Sequence, residues 1–125
     1  KSSGRKDIRV LGYRNVWFKF HPSESNFYVP ESMRHLNDME DCFDTCFTTQ
    51  SAASFPSHEY DGPFSKLARK IQVKQFEQIK TFLGENYFVH NEDHILRACC
   101  GVVYLCDMSL SEFYSKSAEL RRFAE

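Results

Sequence analysis

The stretch Asn91–Met108, NEDHILRACCGVVYLCDM, is the longest apolar run in the chain, and polar residues flank it on both sides. No other segment is as hard to keep in water, so the core has to form around it. Asn91 is a good N-cap, since its side-chain oxygen can accept from an unpaired amide of a first helical turn. Glu92 and Asp93 suit the positive end of a helix. Ile95, Leu96, Cys99, Val102, Val103 and Cys106 then recur at spacings of three and four, the helical period. Ala98, Tyr104 and Leu105 make the other side apolar as well. The pattern predicts a central helix over 91–108, buried nearly all round. Gly101 inside it points to close packing there, because glycine costs a helix about 1 kcal/mol relative to alanine. The rival reading is a short buried strand over Gly101–Cys106, since Val-Val-Tyr favours strands. The run is too short to cross a bilayer, which takes about 20 apolar residues.

The remaining chain supplies elements to pack on this one. A length of 125 residues with 12 phenylalanines suits one globular domain with one core. Residues 1–6 read as linker. Between Ile8 and Phe20 the apolar residues alternate with polar ones, Ile8 with Val10 and Val16 with Phe18 and Phe20, which is the strand period. Gly12 allows a turn or bulge between two runs. Phe27–Val29 follows the polar turn 21–26 as a third short strand, so a three-stranded antiparallel meander is expected. Glu31–Phe47 carries Met33, Leu36, Met39, Phe43, Cys46 and Phe47 at helical spacing. Residues 48–63 form a long loop rich in Ser, Pro and Gly. Phe64–Leu83 is an amphipathic helix whose apolar stripe runs from Phe64 and Leu67 to Phe82 and Leu83, with Gly84 at the position of a C-terminal glycine cap. Tyr87–Val89 is an extended link. Ser109 and Glu112 have capping-box spacing for a last helix, with Phe113, Leu120 and Phe123 on its buried face. The fold class is therefore α+β: a small N-terminal antiparallel sheet packed against three or four helices.

Composition narrows the function classes. The net charge of −1 selects neither nucleic acid nor an anionic membrane as a whole-molecule partner. The charge is nonetheless segregated: residues 1–20 and 64–80 are basic, whereas 21–63 and 81–125 are acidic. The five cysteines, Cys42, Cys46, Cys99, Cys100 and Cys106, are odd in number, and three lie in the apolar run. That argues against a secreted disulfide framework and for an intracellular setting, cytoplasmic or nuclear. The chain opens at Lys1 rather than Met, as a domain taken from a larger protein would.

Four constellations in the sequence could carry chemistry. Cys42 with Cys46 and His90 with His94 each have i, i+4 spacing, and together they could supply four zinc ligands. Core packing of the cysteines is the plainer account, and no metal or cofactor is expected. A nucleophile at Cys99 or Cys100 would need a lowered thiol pKa, whereas an apolar setting raises it. No phosphate loop, serine elbow or His-Glu-x-x-His pattern occurs, so an enzyme is not expected. Lys66, Arg69, Lys70 and Lys74 put a basic face on the helix 64–83. With the basic N-terminal strands this face could track phosphates, the alternative reading of a nucleic-acid-binding module. The main expectation is a non-catalytic protein–protein interaction or self-association domain of a regulatory or scaffold protein. Its partner is another protein or a second copy of itself, with no membrane involved. Trp17, Phe55, Tyr60 and Phe123 are its candidate anchors, because large aromatics in loops and at chain ends often fill partner pockets.

Overall fold

The computed structural model describes residues 7–14, 19–51, 53–54 and 60–124, with nothing said of the side chains of 123 and 124. The chain forms an α+β fold. Its strands are β1 (Arg9–Tyr13), β2 (Phe27–Ser32) and β3 (Cys99–Ser109). Its long helices are α1 (Met33–Cys46), α3 (Phe64–Leu83) and α6 (Leu110–Ala124). Three short helices, α2 (Thr48–Ser51), α4 (Glu85–Val89) and α5 (His94–Arg97), connect them.

The organising stretch is central, but it is not a helix. Asp93 caps one turn only, accepting from the Ile95 amide at 2.8 Å, and that turn ends at Ala98. From Cys99 the backbone is extended. β3 lies between the other two strands, antiparallel to both, in the order β1-β3-β2. The predicted helix 91–108 is thus replaced by a short helix and the central strand. A middle strand can read as a continuous apolar run, and a run of that kind cannot be told from a buried helix by periodicity. The β-branched and aromatic residues at its centre favour the strand. The meander is replaced for the same reason. β1 and β2 do not pair with each other, because β3 arrives from the far end of the sequence and takes the place between them. Val16–Phe18 lies outside the described residues, and Phe20 is not in a strand. It packs half-buried on the core with the Arg14 guanidinium 4.5 Å above its ring.

Close packing at Gly101 holds in the new setting. A Cβ there would stand 3.3 Å from Leu36 Cδ2 and 3.4 Å from Glu31 Oε2. Leu36, fully buried, brings α1 onto the sheet at this point. The register of β2 on β3 is regular from Phe27↔Leu105 to Glu31↔Gly101 and breaks at a bulge between Glu31 and Ser32. Ser32 then starts α1 with a capping box: its Oγ accepts from the His35 amide at 3.5 Å, and His35 Nδ1 accepts from the Ser32 amide at 3.2 Å.

Two clusters make the core. One joins Leu67, Ala68 and Ile71 of α3 to Met39, Tyr60 and Phe64. The other joins Phe76 and Phe88 to Cys99, Val102 and Tyr104 of β3. Tyr104 is 1% exposed, and its hydroxyl donates to the Gln75 carbonyl at 2.8 Å, tying strand to helix. Gly84 ends α3 with φ 83°, and its amide donates to the Lys80 carbonyl at 2.9 Å. Such a φ favours glycine because it lacks a Cβ. Tyr87–Val89, expected to be extended, is the helical α4. The expected loop 48–63 opens with the helical turn α2. The capping box of α6 forms: the Ser109 amide donates to Glu112 Oε2 at 2.7 Å, and the Glu112 amide donates to Ser109 Oγ at 3.2 Å. Its expected buried face does not form. Phe113 is exposed, as is Leu120 at 71%.

Candidate partner-binding groove

The most distinctive surface lies along the last turns of α3, beside β2, β3 and α4. Ile79, Phe82 and Leu83 of α3 line one cleft with Tyr28 and Pro30 of β2 and Val102 of β3. Gly84 turns the chain, and the short α4 comes back far enough to seat Phe88 edge-on against Phe76, centroids 5.0 Å apart. This leaves a half-open apolar groove of about 420 Å³. Phe88, Cys99 and Val102 form its floor, all buried. Tyr28 and Pro30 of β2, Ile79 of α3 and Leu96 of α5 form its walls. Phe82, Leu83 and Tyr87 stand on its rim, and Phe82 is 73% exposed.

The groove is held rigidly. The Tyr28 ring meets Tyr104 edge-on at 5.3 Å. Its hydroxyl lies 2.9 Å from the Pro22 carbonyl and 3.0 Å from that of Ser25, donating to one at a time. Tyr87 packs edge-on against Phe88 at 5.2 Å. Beyond the turn, Lys80 and Glu85 pair at 3.2 Å across Gly84. The Cys99 thiol donates to the Gly101 carbonyl at 3.2 Å, and burial pushes its pKa up. Burial pushes the Cys100 thiol up too, with Arg69 opposing in part. Neither has the lowered pKa a nucleophile needs. The groove lining is mainly apolar.

The anchors proposed from sequence lie elsewhere. Trp17 and Phe55 fall outside the described residues, as does the side chain of Phe123. Tyr60 is half-buried against Leu67, Ala68 and Ile71, and Lys70 Nζ lies 5.7 Å from its ring centroid. Tyr60 caps the core and is a poor free anchor. Sequence reasoning missed Phe82, Leu83 and Tyr87 by assigning the first two to a buried stripe and the third to a link. No local pattern marks them, since adjacent residues of α3 such as Gln75 and Phe76 are both buried.

The basic face of α3 is partly neutralised. Glu40 on α1, side chain 11% exposed, takes Lys66 Nζ at 2.8 Å and Arg69 Nη1 at 3.1 Å on one oxygen. Burial pushes the Glu40 carboxyl up, but the bonds and charges of Lys66 and Arg69 outweigh it and hold the carboxyl below its ordinary range. Arg69 also donates to Asn37 Oδ1 at 3.2 Å. Two of the four cations proposed for phosphate contact thus bind the domain's own helix. Lys70 sits over Tyr60, and Lys74 has contacts within the domain too.

The four zinc candidates are not gathered. Cys42 and Cys46 meet on α1 with their sulfurs 3.9 Å apart, whereas His90 follows α4 and His94 opens α5. Among the described residues no group of three or more His, Cys, Asp and Glu side chains is placed to hold a metal ion, and no helix is long and apolar enough to cross a membrane. Comparison with models of protein families, with curated proteins and with solved structures finds no match to this chain.

Proposed function

We propose that this is a non-catalytic interaction domain that takes an apolar segment of another polypeptide into the groove between α3, α4 and the β2–β3 sheet. The observation that carries the reading is Phe82, 73% exposed on the rim of an apolar groove of about 420 Å³. An aromatic that stands in water beside a rigid apolar cleft is the arrangement of an interface anchor waiting for its cover. A small-molecule site would enclose most of its ligand and place a few convergent polar groups in the wall. This groove is open along one side, and its polar tips, such as the Tyr28 hydroxyl, are directed to the domain's own backbone. An incoming helix or strand with two or three large apolar side chains fits such a cleft.

Selection of peptides from a random display library against the full chain tests this. Peptides with large apolar residues at helical or alternate spacing are expected, and Phe82→Asp should weaken them by at least about 10-fold, as loss of an anchor does. Lys66→Glu with Lys70→Glu and Lys74→Glu should leave them bound. Selection of acidic peptides, or of oligonucleotides that Lys66, Lys70 and Lys74 hold, would move the function to the basic face of α3. Self-association that Phe82→Asp abolishes would make the occupant a second copy of the chain and overturn the choice of a different partner.

A further inference from the structure

The two faces of the sheet are unequally covered. Tyr104 turns to α3, where its hydroxyl meets the Gln75 carbonyl. Side chains alternate along a strand, so Val103 and Leu105 of β3 turn to the opposite face. The register sets Tyr13 and Phe27 on either side of Leu105, and Val29 beside Val103. Leu11 continues this face on β1. Leu36 of α1 packs against it at Gly101. Leu11, Tyr13 and Phe27 are nonetheless exposed, Tyr13 at 56%.

The last helix, α6, is the converse, with an apolar side that nothing covers. Phe113 and Leu120 lie seven residues apart on one stripe, with Tyr114 next to it, and all three are exposed. The helix does not double back to cover its own sheet. It follows β3 with no loop residue between, and the bonds between Ser109 and Glu112 fix its first turn at the end of the strand. A helix face and a sheet face are the two layers that pack in an α+β fold. Here both are left open on one chain.

Charge and spacing match as well. Glu31 lies on the open face, two residues beyond Val29. Its Oε2 is buried with no hydrogen-bond partner among the described residues, and burial pushes the carboxyl pKa up, with His35 opposing in part. Arg121 follows Leu120 at the edge of the α6 stripe and is exposed. From Phe27 to Glu31 is about 13 Å at a strand rise of about 3.3 Å per residue. From Phe113 to Arg121 is about 12 Å at a helix rise of about 1.5 Å per residue. A helix that sets Phe113 on the row of Phe27 therefore carries Arg121 to Glu31. On two copies, the exposed parts of Leu11, Tyr13, Phe27, Phe113, Tyr114 and Leu120 come to on the order of 1,000 Å², the area that a specific interface has to clear.

We infer that two copies of the chain associate through α6, each laying its Phe113–Leu120 stripe on the open sheet face of the other, with Arg121 beside the other's Glu31. The contact is made twice about a two-fold axis, so the assembly closes as a dimer. It leaves the groove free, since Tyr28, Pro30 and Val102 line the groove from the opposite face of the sheet.

The test is sedimentation equilibrium of the full, reduced chain over a range of concentrations, which should show monomer and dimer in exchange. Tyr13→Asp and Leu120→Asp should each weaken the dimer by at least about 10-fold, as loss of an anchor does. Both positions are exposed, so the variants should keep the circular dichroism of the parent. Phe82→Asp should leave the dimer unchanged. Glu31→Gln and Arg121→Gln should each weaken it less, and together no more than either alone, because groups in contact do not add. A chain that stays monomeric would overturn the inference. So would a dimer that survives Tyr13→Asp, which would be helix on helix, or one that survives Leu120→Asp, which would be sheet on sheet. Dissociation by Phe82→Asp would move the seam to the groove. Additive losses from Glu31→Gln and Arg121→Gln would overturn the pairing of those two residues.

Discussion

The first half of α3 and its last turn carry side chains of the same chemistry in different surroundings. Leu67, Ala68 and Ile71 are buried, covered by α1 through Met39 and by Phe64 and Tyr60. Phe82 and Leu83 continue the same apolar stripe, yet they stand in water. The helix itself does not differ between the two places. Its neighbours do: Met39 of α1 packs against the first half, whereas Phe82 and Leu83 border an open groove shared with the sheet and α4. An amphipathic stripe states which face a helix would like to bury. How much of that face is buried depends on how far the neighbouring elements reach, and the uncovered remainder is the candidate binding surface.

Substitution along α3 breaks the comparison most directly. Leu67→Ala should cost about 2–5 kcal/mol in chemical denaturation, the range for a buried leucine that leaves a cavity. An unchanged midpoint would mean that the first half is not covered as described. The ion pair at the same end comes next. Glu40→Ala leaves Lys66 and Arg69 without their shared carboxylate and should cost about 1–2 kcal/mol, lessened by solvent screening because the Lys66 side chain is 52% exposed. The Glu40 carboxyl is held below its ordinary pKa. Its contribution is therefore complete above the ordinary carboxylate range and is lost as pH falls through the lowered value. Denaturation followed against pH should show a weaker acid decline in Glu40→Ala than in the parent.

Tyr104 sharpens the comparison from the side of the second half, where it lies beneath α3. Tyr104→Phe should cost about 1 kcal/mol, for one hydrogen bond to the Gln75 carbonyl. Burial pushes the Tyr104 hydroxyl up to about 12 from 10.0. Between those values the unfolded chain ionises and the folded one does not, so the parent should lose stability as pH rises from about 10 to about 12. Tyr104→Phe should remove that part of the alkaline decline. The smallest effect belongs to the uncovered turn: Leu83→Ala should change stability by no more than about 0.5 kcal/mol. A loss as large as that of Leu67→Ala would show that the last turn is covered in solution, and the groove would lose its claim as a free surface.

Part of this was legible in the residues. The bounds of α3, the glycine cap at Gly84 and the capping box of Ser109 and Glu112 follow from local chemistry that neighbours in sequence decide, whereas the expected helix Glu31–Phe47 loses Glu31 and Ser32 to β2. The groove was half legible. The apolar residues of its rim were plain, but they were assigned inward, since nothing local tells a stripe where its cover stops. Tyr60 erred the other way: a loop aromatic next to Pro and Gly looks free, and only the packing of α3 against α1 turns it into a lid on Leu67 and Ile71.

By itself the sequence determined that the apolar run within 91–108 supplies part of the core, which holds for Cys99, Val102 and Tyr104 but not for Ile95 or Ala98, and that the chain mixes strands with amphipathic helices. Tertiary structure decided that Cys99–Ser109 is a strand. Its partners are Arg9–Tyr13 and Phe27–Ser32, far away along the chain. A residue's backbone state there is fixed by hydrogen bonds to those distant strands, which no local periodicity encodes. Tertiary structure decided likewise which apolar side chains stay exposed, since exposure belongs to the fit between elements and not to any one of them.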